Sequence, residues 1–290
     1  MKKFLSHALY FLIVLLLING ILFFVSQKLY SDKYTQFSLA YPSYLLADSH
    51  GEPLSNGTEK YGIYNFSYSS DSYIDMYRKI TFLLNKTKID TLYIVADEHA
   101  LSPYREKTNN LDRSLFYCTQ YEFDNYYEYV KERYIKQYLV IFQPKVRDLV
   151  RSYLYAKVIN IILPKQHQPK DWAEMAFEDR IKNTEERVLG QFPSQENSAT
   201  LEATLLKIIH TCEEHDIKLI GIKFPLSSEY LTVLADKTYN VAHILKSNGI
   251  AILDYNSVFR YNNEYFQDTD HLNKQGGLEL VKLLGADINQ

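Results

Sequence analysis

The sequence predicts an α/β fold, with a five-stranded parallel sheet covered by helices and an apolar helix ahead of it. Three observations predict it. Short apolar runs stop abruptly at acids, hydroxyls and imidazoles, as where Tyr44-Leu45-Leu46-Ala47 meets Asp48-Ser49-His50. These runs alternate with stretches of helical length, a rhythm that pairs strands in parallel through right-handed crossovers. The chain also opens with Met1-Lys2-Lys3 and an uncharged apolar run from Ala8 to Val25.

That run of 18 residues spans about 27 Å at helical rise, close to the hydrocarbon core of a bilayer. A cleaved signal peptide shares the basic start, but no small-x-small site follows in Phe23-Phe24-Val25-Ser26-Gln27. Residues 1–30 therefore read as an uncleaved signal anchor, a single transmembrane helix. Its short N-terminus faces the cytoplasm, and residues 31–290 lie outside in the periplasm or at the cell surface. The 290 residues suit one sizeable domain plus this appendage. A net charge of -3 gives no sign of nucleic-acid binding. Cys118 and Cys212 form neither a disulfide framework nor a metal-ligand spacing, and their pairing stays open.

After a polar, aromatic linker the first strand is Tyr44 to Ala47, followed by the turn-rich Gly51–Gly57. The second strand is Gly62 to Phe66, and a helix from Tyr73 to Asn85 starts at an Asp71 or Ser72 cap. The third strand, Thr91 to Ala96, closes at Asp97-Glu98-His99. Alternation then breaks over 101–199, a mainly helical, Tyr-rich insertion with amphipathic stretches at Tyr121–Tyr138 and Val146–Ile162. It is either a lid or a plain helical layer. Helix Leu201–His215, strand Lys218–Phe224, helix Glu229–Lys246, strand Ile250–Asp254 and helix Lys274–Leu284 complete the pattern. Together these give a flavodoxin-like three-layer α/β/α sandwich.

Ligands bind outside the carboxyl ends of parallel strands, which is where Ser49 stands. A serine hydroxyl needs a base to take its proton and a third group to orient that base. Asp268-Thr269-Asp270-His271, 222 residues further on, supplies both. His271 would be the base and Asp268 its orienting carboxylate. Asp270 reads as an N-cap of the last helix. The bland reading of this loop is Asp270 or Asn273 capping that helix, with His271 merely packed.

The pair Ala47-Asp48-Ser49 and Asp268-x-x-His271 resembles the SGNH/GDSL hydrolase family, where a Gly-Asp-Ser motif carries the nucleophile and Asp-x-x-His completes the triad. The resemblance implies oxyanion donors at the backbone N–H of Ser49 and in the stretch Asn65-x-Ser67-x-x-Ser70, where the family has glycines in place of the two serines. In the family's third block Asp97-Glu98-His99 replaces the usual asparagine, leaving His99 as the side chain able to donate. His50 would contact substrate or buttress the loop. These departures resemble the envelope-associated branch that includes DltD-like and alginate O-acetylation proteins. That branch implies acyl (acetyl) transfer onto a cell-surface polysaccharide beside a membrane-bound O-acyltransferase. An extracytoplasmic carbohydrate esterase or deacetylase, and a degenerate glycan- or partner-binding scaffold, stay open as alternatives. No metal or nucleotide motif is present, and no cofactor is expected.

Overall fold

The computed structural model describes residues 2–140, 143 and 171–288. The chain divides into two compact units, Phe37–Leu111 with Pro169–Gln290, and Met1–Gln36 with Asp112–Gln168. The expected amphipathic stretch Val146–Ile162 lies outside the described residues.

The first unit is the α/β part. Its sheet has the order β2-β1-β3-β4-β5, with every pairing parallel. The strands are β1 (Ser43–Leu46), β2 (Ile63–Asn65), β3 (Thr91–Val95), β4 (Lys218–Lys223) and β5 (Ala251–Asp254). The strands β2 to β5 are a residue or two shorter than their apolar runs, and β1 begins one residue ahead of the run Tyr44–Ala47. The three central strands are buried along nearly their whole length, whereas the edge strand β5 is not. Burial on both faces is what a parallel sheet requires, and it explains continuous apolar runs in place of strict alternation.

Helices of seven or more residues are numbered in chain order. In this unit they are α2 (Tyr73–Leu84), α3 (Phe177–Gln191), α4 (Ala199–Glu214), α5 (Ser228–Leu234), α6 (Val241–Ser247) and α7 (Lys274–Ile288). The direction of strand addition reverses between β1→β2 and β2→β3. Right-handed crossovers therefore put the 3-10 turns of Glu52–Tyr61 on one face and α2 and α4 on the other, and α7, which follows the last strand, packs against Glu52–Tyr61. The glycines of α7 allow close packing: a Cβ at Gly277 would stand 2.1 Å from Pro53 O, and one at Gly285 would stand 2.0 Å from the Tyr61 ring.

One expectation is overturned. The single helix read over Glu229–Lys246 is two, α5 and α6. Ala235 at φ 46° and Asn240 at φ 61° turn the chain between them. The apolar spacing runs across this polar break, so periodicity alone joined the two pieces.

The other unit contains α1 (Lys2–Ser26), which continues as a π-helical turn over Gln27–Ser31. It is long and apolar enough to cross a membrane by length and composition. Tyr30 Oη donates to Asp112 Oδ2 at 2.8 Å, and the Arg113 guanidinium lies 4.4 Å over the Tyr30 ring. Tyr34 and Tyr117 are buried against one another. The helical turns of Tyr126–Tyr138 complete the described part of this unit. Cys118 here is buried with its Sγ 3.9 Å from Ser114 O, and Cys212 in the α/β unit is a buried thiol.

Candidate active site

The sheet order reverses at β1, with β2 on one side and β3 on the other, so a crevice opens at the carboxyl ends of β1 and β3. Ser49 and Asp97 follow these two strands. Pairing with the segment after β2 continues past the end of β1. Ala47 N–H donates to Ser67 Oγ at 3.0 Å, and Tyr68 N–H donates to Ala47 O at 3.1 Å. The chain then turns tightly, with Gly51 N–H donating to Asp48 O and His50 N–H to Asp48 Oδ1. Gly51 is needed because a Cβ there would stand 2.3 Å from Ser67 Oγ. This turn leaves Ser49 on the wall of the crevice.

His271 comes from the far end of the chain, on a loop pinned between Phe266 and Leu272 by an antiparallel bridge. Its Nε2 lies 2.8 Å from Ser49 Oγ. Its Nδ1 lies 2.9 and 3.0 Å from the two carboxylate oxygens of Asp268. Asp268 Oδ1 also accepts the backbone N–H groups of Asp270 and His271, so the turn itself fixes the carboxylate. These partners assign the tautomer: Nδ1–H donates to Asp268, and Nε2 is left to accept from the serine.

Asp270 is not the helix cap that its position predicts. Its side chain is 1% exposed and accepts from Arg187 Nη2 at 2.9 Å and Gln191 Nε2 at 2.8 Å. Its Oδ1 also stands 3.3 Å from His271 Nδ1. The cap is Asn273, whose Oδ1 accepts Gly276 N–H at 3.0 Å. Capping arguments weigh only neighbours in sequence, whereas the partners of Asp270 sit 83 and 79 residues upstream on α3.

A buried polar layer lies beneath the crevice. Asp48 Oδ2 accepts from His99 Nε2 and from Arg105 Nη2, both at 2.9 Å. His50 Nδ1 lies 2.6 Å from Asp97 Oδ2, and its Nε2 lies 3.5 Å from Asp270 Oδ2. Burial works against charge on Asp48, yet His50, Arg105 and His99 hold its carboxyl well below the usual carboxylate range. Burial likewise opposes charge on His50, but Asp48, Asp270 and Asp97 raise its imidazole well above the ordinary value. His99 is the contrary case: burial lowers it, against the pull of Asp48. Asp270 is buried too, and His50, His271 and Arg187 hold it well below the usual range. The His50 ring thus stands between the Asp97 and Asp270 carboxylates, its centroid 5.0 Å from that of His271.

The remaining expected residues fall in two groups. The Tyr68–Asp71 turn holds Ser70 at φ 70°, the left-handed conformation that suits a glycine there. Asn65, His99 and His50 are engaged in the framework. The Asn65 amide donates to Gly51 O and Ser55 O, and the two histidines serve the buried carboxylates. Asp97, Arg105, Arg187 and Gln191 carried no sequence signal beyond the acid ending β3. A crevice of about 480 Å³ opens over Ser49 and His271, walled by Glu52, Ser55, Ser69 and Lys274.

Asp48, His50 and His99, and likewise His50, Asp270 and His271, bring possible metal-ligand atoms within 4.8 Å of one another. Arg105 and Arg187 already supply cations to these carboxylates, so the donor set reads as an ion-pair layer.

No protein-family model matches this chain, and no curated protein matches its sequence. A solved structure from Bacteroides fragilis, described as a "putative acylhydrolase", aligns over 90% of this chain and 95% of its own at 12% identity and a TM-score of 0.41.

Proposed function

We propose that the chain is a serine acyl-ester enzyme with Ser49 as nucleophile, His271 as base and Asp268 as its orienting group. One observation carries the reading: Ser49 Oγ stands 2.8 Å from a histidine nitrogen whose partner nitrogen is held by a carboxylate. That is the arrangement a hydroxyl needs to become nucleophilic. In the first half-reaction Ser49 Oγ attacks the acyl carbonyl carbon while its proton passes to His271 Nε2. The oxyanion accepts from the backbone N–H groups of Ser49 and Ser70. Collapse of the intermediate returns that proton to the departing alcohol and leaves an acyl-Ser49 ester. An acceptor hydroxyl then gives its proton to His271, attacks the ester and regenerates the serine.

The crevice wall carries polar Glu52, Ser55, Ser69 and Lys274 beside apolar Pro53 and Leu272 around the serine. Its polar members suit the hydroxyls of a sugar that carries or accepts the acyl group. The proposed biological reaction is O-acetyl transfer on a cell-surface polysaccharide by an enzyme anchored through α1, with its α/β unit outside the cytoplasm. A membrane-bound O-acyltransferase would supply the acyl group. Hydrolysis of the same ester, as in a carbohydrate deacetylase, differs only in the attacking molecule.

The test uses the full chain in lipid nanodiscs, treated with p-nitrophenyl acetate with and without a sugar acceptor and followed by intact mass. A mass increase of one acetyl group on Ser49, lost in Ser49→Ala, is expected. Free acetate or acetylated sugar as product then separates hydrolysis from transfer. A folded protein with neither adduct nor turnover overturns the proposal.

A further inference from the structure

We infer that the Tyr126–Tyr138 segment is itself a membrane-interface element, seated at the boundary of lipid headgroups and hydrocarbon alongside α1; this rests on reading α1 as the membrane anchor. The observation that carries it is Asn19. The flanking residues Leu17, Ile18 and Ile21 are 63%, 47% and 66% exposed, as a lipid-facing helix requires, whereas Asn19 is 2% exposed. Its Nδ2 donates to the backbone carbonyl of Tyr138 at 2.8 Å. The Tyr138 ring packs on Phe23 one turn further along, with centroids 5.3 Å apart.

Asn19 lies six residues inside Val25, the end of the apolar run. That is about 9 Å along a helix axis. A segment bonded to α1 at this level stands within the outer part of the bilayer whenever α1 spans it. An amide in hydrocarbon needs a partner inside the protein, and the Tyr138 carbonyl is one.

The rest of the segment suits that position. The rings of Tyr126, Tyr127, Tyr134 and Tyr138 are 67%, 72%, 54% and 42% exposed. Tyrosine, apolar in body and polar at its tip, is the residue enriched where bilayer meets water. Some polar groups between these rings are held by the unit itself: Arg133 lies 4.9 Å over Phe116 and donates to its carbonyl, and Gln137 donates to Asp112 O. The outward face combines the rings with the exposed Lys131 and Lys136, whose charge suits lipid headgroups, and a lipid surface is the partner that fits it.

The experiment is spin-label depth measurement on the full chain in proteoliposomes, in a Cys118→Ala, Cys212→Ala background. Single labels are placed at Tyr134→Cys, Tyr138→Cys, Leu12→Cys in α1 and Tyr261→Cys in the α/β unit. Collision with lipid-soluble oxygen is compared with collision with a water-soluble nickel chelate. The oxygen-to-nickel ratio at positions 134 and 138 is expected to exceed that at 261 several-fold and to approach that at 12. Nickel-accessible labels at 134 and 138, with position 12 in lipid, overturn the inference and leave the anchor standing. A nickel-accessible label at 12 overturns both.

Discussion

At Asp270 one buried carboxylate faces Arg187, His50 and His271, while Asp268, two residues earlier and 45% exposed, holds the His271 ring and two backbone N–H groups of its own turn. The two acids should therefore fail differently when neutralised. Asp270→Asn leaves the buried His50 ring and the Arg187 guanidinium short of a partner, and is expected to cost about 3–5 kcal/mol of stability in urea unfolding. Asp268→Asn should leave the urea midpoint nearly unchanged and lower turnover by about 10³–10⁴, because an amide no longer enforces the working tautomer. Ser70 gives a third test. An L-residue in the left-handed region costs about 1–2 kcal/mol, and glycine gives back part of that through chain entropy. Ser70→Gly should raise stability by about 0.5–1 kcal/mol with catalysis retained; a loss of stability would show that the Ser70 side chain matters. Ser49, Asp268 and His271 were legible in sequence because hydroxyl, acid and imidazole recur at recognisable spacings beside strand ends. Asp270 was misread, and Arg187 and Gln191 unseen, because their meaning comes from partners about 80 residues away.

Among elements, α7 sets the position of His271 from behind. Asn273 caps it, and Asn273→Ala should cost about 1 kcal/mol in thermal or urea unfolding. Gly277 lets its first turn lie on the Pro53 carbonyl, next to the crevice residue Glu52. Gly277→Ala must push the two apart, with an expected cost of about 1–3 kcal/mol and a rise in KM as the crevice wall moves. Strand order was legible in the α/β unit because each buried strand forms an unbroken apolar run, and Ser72 with Asp75 announces α2, whereas α3 fell within the stretch read only as a helical insertion. The break between α5 and α6 was not legible. It depends on two residues adopting positive φ, and neither Ala235 nor Asn240 sits in a glycine-rich signal.

For the whole molecule, the buried layer makes stability depend on pH with a definite sign. Asp48 and Asp270 are held below their ordinary values, so their contribution is present above about pH 4 and is lost as pH falls through the folded-state values. His99, lowered from 6.5, likewise contributes above that value and is lost as pH falls. Asp71, pushed up to about 6 by burial despite Lys79, has the opposite sign and loses its contribution as pH rises through that value. His50 has the same sign at higher pH: its contribution is complete below 6.5 and disappears as pH rises through its raised folded value. Between about pH 7 and 8, below the range where the Cys212 thiol and the tyrosines ionise in the unfolded chain, the decline in melting temperature should belong to His50. His50→Gln should flatten that limb, and a limb unchanged in this variant would assign it elsewhere. The separation of 222 positions between Ser49 and His271 has a further consequence, one of timing. The serine emerges from the ribosome well before its proposed base. On the proposed mechanism, a nascent chain that has not reached residue 271 carries an inert hydroxyl, and acyl chemistry begins only after the loop of residues 266–272 has docked. The order of synthesis would then act as a safety catch, holding the proposed nucleophile idle until that loop is made.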